Sequence, residues 1–394
     1  MLGLVLEGGG AKGSFQVGLL RALLDNGYKF DGAVGSSIGA LNSAMLVQGD
    51  FEKSYEIWNN MEFSQLFDFE DIYAENIAKN NFDRQTIKYF FIKLKEAIKN
   101  KGLDTTKIRS LIDYYVDEEK LRKSSMDFGL MTVRAFEGKE IITPHPLFKE
   151  DIPLGAVADY IMASANFPGF KPHYINNEPY RDGGLYDNLP INMLIDKGYR
   201  DIIAVPLRGY FSFKQKPKDA GVNIQYIVPS EKPGRMLDFN NAPVNRGLMM
   251  GYYDGMRFVK GYIGELYYID DIRDYRVLSD RIMAFPESFF GEMCNVLDVE
   301  YFSDNKVKTI YNINSKLKKL LDMKEMLSTP EIFMKLLEKV AADSELERLT
   351  MYTMKDFVAK AYEAFVNNND KKGGKNRKKM QIDNAFLLFT KYYK

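Results

Sequence analysis

Two short stretches of this sequence combine residue types and spacings that chemistry can use. The first is Gly35-Ser36-Ser37-Ile38-Gly39, a Gly-x-Ser-x-Gly pattern between an apolar run and an amphipathic one. In that setting the glycines permit a strained strand-to-helix turn. Ser37 then points out of a sheet at the start of a helix, where a serine nucleophile is exposed to substrate. Ser36 is the neighbouring hydroxyl and lies off the pattern. The second stretch is Gly8-Gly9-Gly10-Ala11-Lys12-Gly13. Consecutive glycines leave backbone N–H groups unshielded at a helix N-terminus, where the helix dipole favours negative charge.

Three negative groups compete for the glycine turn. Gly8, Gly10 and Gly13 fit the Gly-x-Gly-x-x-Gly fingerprint of a dinucleotide site, which also needs an acidic residue at the end of the second strand to hold the ribose. Asp31 stands at the start of that strand, the wrong end, and Gly35-Ser36-Ser37 stands where it finishes, so the ribose anchor is missing. A nucleotide P-loop needs Gly-Lys-Ser/Thr, whereas the order here is Lys12-Gly13-Ser14. The third group is an oxyanion that exists only during a reaction, each well-aimed donor contributing about 3–4 kcal/mol to its stability. This reading demands a nucleophile on an adjacent strand end, and Ser37 meets the demand.

A serine hydroxyl needs a base. The chain has two histidines, His145 and His173, and none follows residue 173. Both stand in turn-rich, proline-containing surroundings and read as ordinary loop residues, so a triad in the order Ser, Asp, His is unsupported. "YRDGGLYDNLPIN" (180–192) offers a carboxylate instead. Gly183 and Gly184 after Asp182 let the backbone present that side chain without crowding. Asp187 is the nearby competitor and lacks the glycine pair.

With these residues in hand, the sequence resembles the patatin-like phospholipases. Gly8-Gly9-Gly10-Ala11-Lys12-Gly13 matches the family's glycine-rich oxyanion motif, and Gly35-Ser36-Ser37-Ile38-Gly39, with Ala40 and Asn42, its nucleophile motif. Asp182-Gly183-Gly184, with Asn188 and Pro190, matches its Asp-Gly-Gly/Ala motif, and "ASANFPGFKP" (163–172) resembles the stretch that precedes the aspartate. Asn166 and Lys171 stand where many members carry smaller or apolar residues. The match is clear over 1–206, weaker over 207–290, where 227–240 resembles a segment of bacterial members, and absent from the last hundred residues. The resemblance implies a three-layer α/β/α fold and a Ser–Asp dyad that cleaves fatty-acyl esters of phospholipids and other lipids. Asp182 is then the base, Ser37 the nucleophile that forms an acyl-enzyme, and the N–H groups around Gly9, Gly10 and Ala11 the oxyanion donors. Lys12 shapes or charges that loop. Acyl transfer by the same dyad and lipid binding without turnover are the alternatives. No metal or cofactor is implied.

These residues must be positioned by strands and helices. Residues 2–6 and 31–35 read as short buried strands, 14–25 and 38–48 as the helices after them. Strand–turn–helix repeated twice argues for a mostly parallel sheet between helices. Residues 157–164 and 189–197 read as helices and 201–206 as another inner strand. Residues 51–120 interrupt this rhythm as a mostly helical insertion. Its apolar stripe, Ile87, Phe90, Phe91, Leu94 and Ile98, suits packing on the core or a lid that opens at a lipid surface. The catalytic core is expected over 1–206, its continuation over 207–294, and a helical C-terminal region over 295–394. In that region 305–326 and 330–366 read as helices and 367–379 as a basic linker.

The 394 residues, 45% hydrophobic, suffice for a large core. The charges balance at 54 Lys+Arg against 54 Asp+Glu, which points away from nucleic acid. The single Cys294 excludes an intramolecular disulfide and fits a reducing compartment. With neither a secretory signal nor a membrane-spanning run in view, the expectation is a cytoplasmic protein that meets a membrane surface from one side.

Overall fold

Strand β1 (Leu2–Leu6) has an apolar side chain on both faces, as a strand at the centre of a covered parallel sheet must. In the computed structural model it pairs in parallel with β2 (Gly32–Ser36) on one side and β7 (Asp201–Val205) on the other. The structure describes residues 1–61, 65–66, 102–135, 142–208, 213–369 and 377–393. The chain divides into two units, Met1–Gly255 and Met256–Lys394.

In the first unit the sheet continues outward through β8 (Asn223–Tyr226), parallel to β7. On the other side β3 (Asp127–Ala135) runs parallel to β2. β4 (Ile142–Phe148), β5 (His173–Ile175) and β6 (Glu178–Asp182) then pair antiparallel at that end. Helices cover both faces. α1 (Gly13–Asp25) and α2 (Ile38–Val47) follow β1 and β2, and α2 packs on β1, β2 and β3. The opposite face, carrying Val5, Val34 and Ile202, packs on Leu194 and Tyr199 in and after the helix Ile191–Asp196. The expected strands and helices stand within two residues of these bounds. The three-layer, mostly parallel arrangement is present, with an antiparallel edge that the sequence reading did not contain.

Of the insertion, α3 (Phe51–Asn59) and α4 (Thr106–Tyr115) are described; the stripe at 87–98 lies outside the described residues. α5 (Glu118–Lys123) and α6 (Val157–Ser164) flank β3 and β4 in the chain, with α6 packed on β3 and on α4.

The second unit is helical around its own core, in which Phe289, Phe333, Leu337, Phe386 and Phe389 are buried. It begins at Met256, ahead of the change in composition near 295. The expected helix at 330–366 is two, Thr329–Asp343 and Met354–Asn369, separated by the short strand Met351–Tyr352. The loop between them turns through Glu345 at φ 61. Of the expected linker at 367–379, residues 367–369 end one helix and Arg377 opens the last, Arg377–Tyr393, while 370–376 lie outside the described residues. No helix among the described residues is long and apolar enough to cross a membrane.

Candidate active site

β2 ends at Ser36 and the chain turns sharply into α2. Ser37, at the turn, has φ 54 and ψ −126, a left-handed conformation that costs a residue with a side chain about 1–3 kcal/mol. The surroundings enforce it. The Ser37 N–H donates to Ser164 Oγ at 2.9 Å, and the Ser164 hydroxyl donates to the Met131 carbonyl at 2.7 Å. A Cβ on Gly39 would stand 2.2 Å from the Leu6 carbonyl oxygen, so only glycine lets the helix start this close to β1. Ser36 is fully buried and does not line the cavity that Ser37 opens into.

Strand pairing puts Asp182 beside this turn. β4 runs along β3 from Gly129 to Ala135 and occupies one edge. β2 pairs with β3 up to Ser36–Met131, and β6 pairs with it from Asp182–Thr132 onward. A strand has two edges, so β2 and β6 share the second one end to end. The last residue of β6 therefore stands next to the last residue of β2, one step before Ser37. The Asp182 N–H donates to the Asn166 carbonyl at 3.0 Å, and its carboxylate accepts from the Gly184 N–H at 2.8 Å. A Cβ on Gly183 would stand 2.1 Å from the Met131 carbonyl oxygen, which accounts for the first glycine of the pair.

Burial pushes the Asp182 carboxyl up to about 6; the Gly184 N–H and the hydrogen-bonding Ser37 side chain act in the opposite sense. Asp187 is also pushed up to about 6 by burial. Its Oδ1 accepts from the Leu189 and Gln215 N–H groups, both at 3.3 Å, and it does not line the cavity that Ser37 and Asp182 share.

The glycine turn is held from several sides. Gly8 is clamped by Asn188: its N–H donates to the Asn188 carbonyl at 3.1 Å and its carbonyl accepts from Asn188 Nδ2 at 2.9 Å. The same Nδ2 donates to buried Glu7 at 3.1 Å; Glu7 also pairs with Lys214 at 2.9 Å and accepts from the Leu207 N–H. The Ala11 N–H donates to the Met236 carbonyl at 2.8 Å, so it is already engaged, contrary to its expected availability for an oxyanion. Lys12 N–H turns back to the Gly9 carbonyl at 3.3 Å, and Gly13 caps the short helical turn. Among the described residues nothing accepts from the N–H of Gly9 or Gly10.

Ser37, Asp182, Gly8, Gly9 and Gly10 open into one cavity of about 710 Å³. Its wall is apolar, built from Leu41 and Met45 of α2, Trp58 of α3, and Ile108, Leu111 and Ile112 of α4. Trp58 is fixed by its indole N–H, which donates to Asn42 at 3.0 Å. The charged residues in the wall, among the described residues, are Lys12, Asp182 and Arg235. Neither histidine lines it. Both sit on strands rather than loops: His145 on β4 faces Arg134 at 3.3 Å, His173 on β5 faces the Asp159 carbonyl at 3.1 Å, and burial pushes both imidazoles down. Lys171 pairs with Asp104 at 2.6 Å and Asn166 Nδ2 donates to the Tyr180 carbonyl at 2.9 Å, so neither faces the cavity. No metal-binding group of three or more His, Cys, Asp or Glu side chains is found among the described residues.

Sequence reasoning met Ser164, which positions the turn at Ser37, and Asn188 only within stretches that carry a resemblance, and gave neither a role. Ser164 is the last residue of an ordinary-looking helix, and Asn188 works through contacts at residues 7 and 8, far along the chain.

The family model described as Patatin-like phospholipase matches residues 4–195. The uncharacterized NTE family protein MT2641 of Mycobacterium tuberculosis (strain CDC 1551 / Oshkosh) is 26% identical over 211 residues, 53% of this chain and 31% of that protein. Patatin-like phospholipase domain-containing protein 7 of Rattus norvegicus is 26% identical over 207 residues, 52% of this chain and 13% of that protein. The chain thus spans less than a third of either relative. The crystal structure of VipD from Legionella pneumophila aligns with 98% of this chain and 91% of its own, at 14% identity and a TM-score of 0.40.

Proposed function

The chain belongs to the patatin-like phospholipases through its domain at residues 4–195, and on that premise we propose that it hydrolyses fatty-acyl esters of lipids with Ser37 and Asp182. Asp182 accepts the Ser37 proton as Oγ bonds to the acyl carbonyl carbon. The carbonyl oxygen becomes an oxyanion, held by the N–H groups of Gly9 and Gly10, and each donor contributes about 3–4 kcal/mol when aimed at the developing charge. The tetrahedral intermediate collapses, the ester C–O bond breaks, and the Asp182 proton passes to the leaving alkoxide. Water then attacks the acyl-enzyme, loses a proton to Asp182, and the fatty acid leaves as Ser37 recovers its hydrogen. A carboxylate is a weak base in water, and burial strengthens this one.

The observation that carries the proposal is the shared edge of β3. It brings Ser37 and Asp182 side by side at an apolar cavity, and the N–H groups of Gly9 and Gly10 on its glycine rim have no acceptor among the described residues; this supports the reading. The apolar wall suits an acyl chain. The test is hydrolysis of a chromogenic acyl ester together with labelling by a fluorophosphonate. Wild type should hydrolyse the ester and be labelled, and Ser37→Ala should do neither. A Ser37→Ala protein that turns over or labels like wild type overturns the assignment.

A further inference from the structure

Glu7 follows the apolar run Leu4-Val5-Leu6 and, like those three residues, is fully buried. A buried carboxylate is costly unless it is paired and hydrogen-bonded, and even a buried ion pair adds little net stability, because desolvation offsets the attraction. This one is paired with Lys214 Nζ at 2.9 Å, and its other partners point to a use. Oε1 accepts from Asn188 Nδ2 at 3.1 Å, and the same amide donates to the Gly8 carbonyl at 2.9 Å. Oε2 accepts from the Leu207 N–H, and the Leu207 side chain lies against the turn: a Cβ on Gly9 would stand 2.7 Å from Leu207 Cδ1. One carboxylate thus anchors a residue that bears on Gly8 and a residue that bears on Gly9.

Lys214 reaches this carboxylate from a segment fastened to the residues after Asp182. The Asn188 N–H donates to the Phe213 carbonyl at 2.7 Å, the Gln215 N–H to Asp187 Oδ1 at 3.3 Å, and Gln215 Nε2 to the Tyr186 carbonyl at 3.2 Å. Lys214 is held between these anchors. Its charge matters to the turn. A carboxylate without a counter-charge, one amide away from Gly8, would oppose negative charge arriving at Gly9 and Gly10, and screening is weak where water is excluded. Lys214 cancels that anion at its source.

We propose that Glu7 and Lys214 are positioning residues: the pair fixes the N–H groups of Gly9 and Gly10 for an oxyanion and removes the charge that would repel it. Neither side chain lines the cavity, so both act through the glycine turn. The inference rests on the hydrolase reading and adds to it the residues that prepare the turn. An oxyanion is absent from the ground state, so the pair governs kcat and leaves KM.

The test sets kcat and KM on a soluble short-chain ester beside the affinity of an alkyl trifluoromethyl ketone, whose adduct with a serine carries an oxyanion. Lys214→Met should lower kcat about tenfold or more, keep KM within about twofold, and weaken ketone binding in parallel. Lys214→Arg keeps the cation and should stay within about threefold of wild type. Glu7→Gln should also lower kcat, since one amide cannot replace both acceptor oxygens. Lys214 is 35% exposed and can turn to water, so Glu7→Gln leaves no buried unpaired charge and carries the test if Lys214→Met does not fold. Glu7→Gln with Lys214→Met should exceed Lys214→Met alone, because the double variant no longer holds an unpaired anion. Lys218→Met, which breaks the ion pair to Asp196 from the same segment, should match wild type. Unchanged kcat in the folded single variants, a loss confined to KM, or strictly additive effects in the double variant overturn the proposal and leave the dyad standing. A wild type that neither hydrolyses the ester nor binds the ketone overturns the hydrolase reading, and this inference with it.

Discussion

Replacing Asp182 with asparagine should abolish activity and make the protein more stable at neutral pH. The carboxyl is 5% exposed, and burial lifts it from 3.8 to about 6. One pKa unit corresponds to about 1.36 kcal/mol, so holding this side chain ionised in the folded state costs about 3 kcal/mol. The folded value lies above the unfolded one, so the folded protein keeps its proton while the unfolded chain loses it. Below about pH 4 both states are protonated and nothing is lost; from about pH 4 to 6 stability falls, and above about pH 6 the whole penalty is present. Asparagine mimics the protonated form and still accepts from the Gly184 N–H through Oδ1. Asp182→Asn should therefore exceed wild type by up to about 3 kcal/mol at pH 8, with the gain fading toward pH 4. Asp187 titrates in the same range but is present in both proteins and cancels. The chain has a single tryptophan, Trp58, buried in the wall of the cavity, so urea unfolding followed by its fluorescence reports on the first unit. An Asp182→Asn protein less stable than wild type at pH 8, or one whose gain is equal at pH 8 and pH 4.5, refutes the reasoning.

The same carboxyl should give hydrolysis an acid limb: the rate on a soluble ester should fall about tenfold from its plateau one pH unit below the Asp182 value, near pH 5. Ser37→Gly should unfold at higher urea than Ser37→Ala, by about 1 kcal/mol, because glycine accepts φ 54 without the side-chain penalty and repays part of the gain in chain entropy. His145→Gln with His173→Gln should retain hydrolysis within about threefold of wild type, since neither imidazole reaches the cavity; loss of activity in that double variant would restore histidine as the base.

The parts legible in the sequence are those whose information is local. β1 and β2 are parallel strands covered on both faces, so they read as short apolar runs, and glycines mark where each run stops. The two glycine patterns and the glycine pair after Asp182 fall at turns with little room for a Cβ, and such turns announce themselves by composition. β3, β4 and β6 did not announce themselves. β4 is Ile-Thr-Pro-His-Pro-Leu-Phe, and prolines at 144 and 146 argue against a strand unless it lies at an edge, which it does. β6 is Glu-Pro-Tyr-Arg-Asp, too polar and short to signal a strand. Without these three, Ser37 and Asp182 are two motifs in a row and not two neighbours. The engagement of the Ala11 N–H is hidden for a similar reason, because its acceptor, Met236, belongs to a segment far along the chain.

Asn188 explains why glycines at two distant motifs depend on one another. A Cβ on Gly8 would stand 2.4 Å from Asn188 Oδ1, and a Cβ on Gly184 would stand 2.6 Å from the same oxygen. The amide therefore lies between the glycine turn and the turn at Asp182, in contact with both backbones. Its Nδ2 is spent on the Gly8 carbonyl and on Glu7, and the Asn188 backbone carbonyl takes the Gly8 N–H. Because Asn188 uses both polar groups of Gly8, while Met236 takes the Ala11 N–H, the N–H groups of Gly9 and Gly10 are those left without an acceptor among the described residues. The run of glycines thus contains fewer open N–H donors than its length suggests. Which ones remain is decided by an asparagine and a methionine carbonyl outside the run, and one buried side chain, Asn188, packs against both this turn and the turn at Asp182.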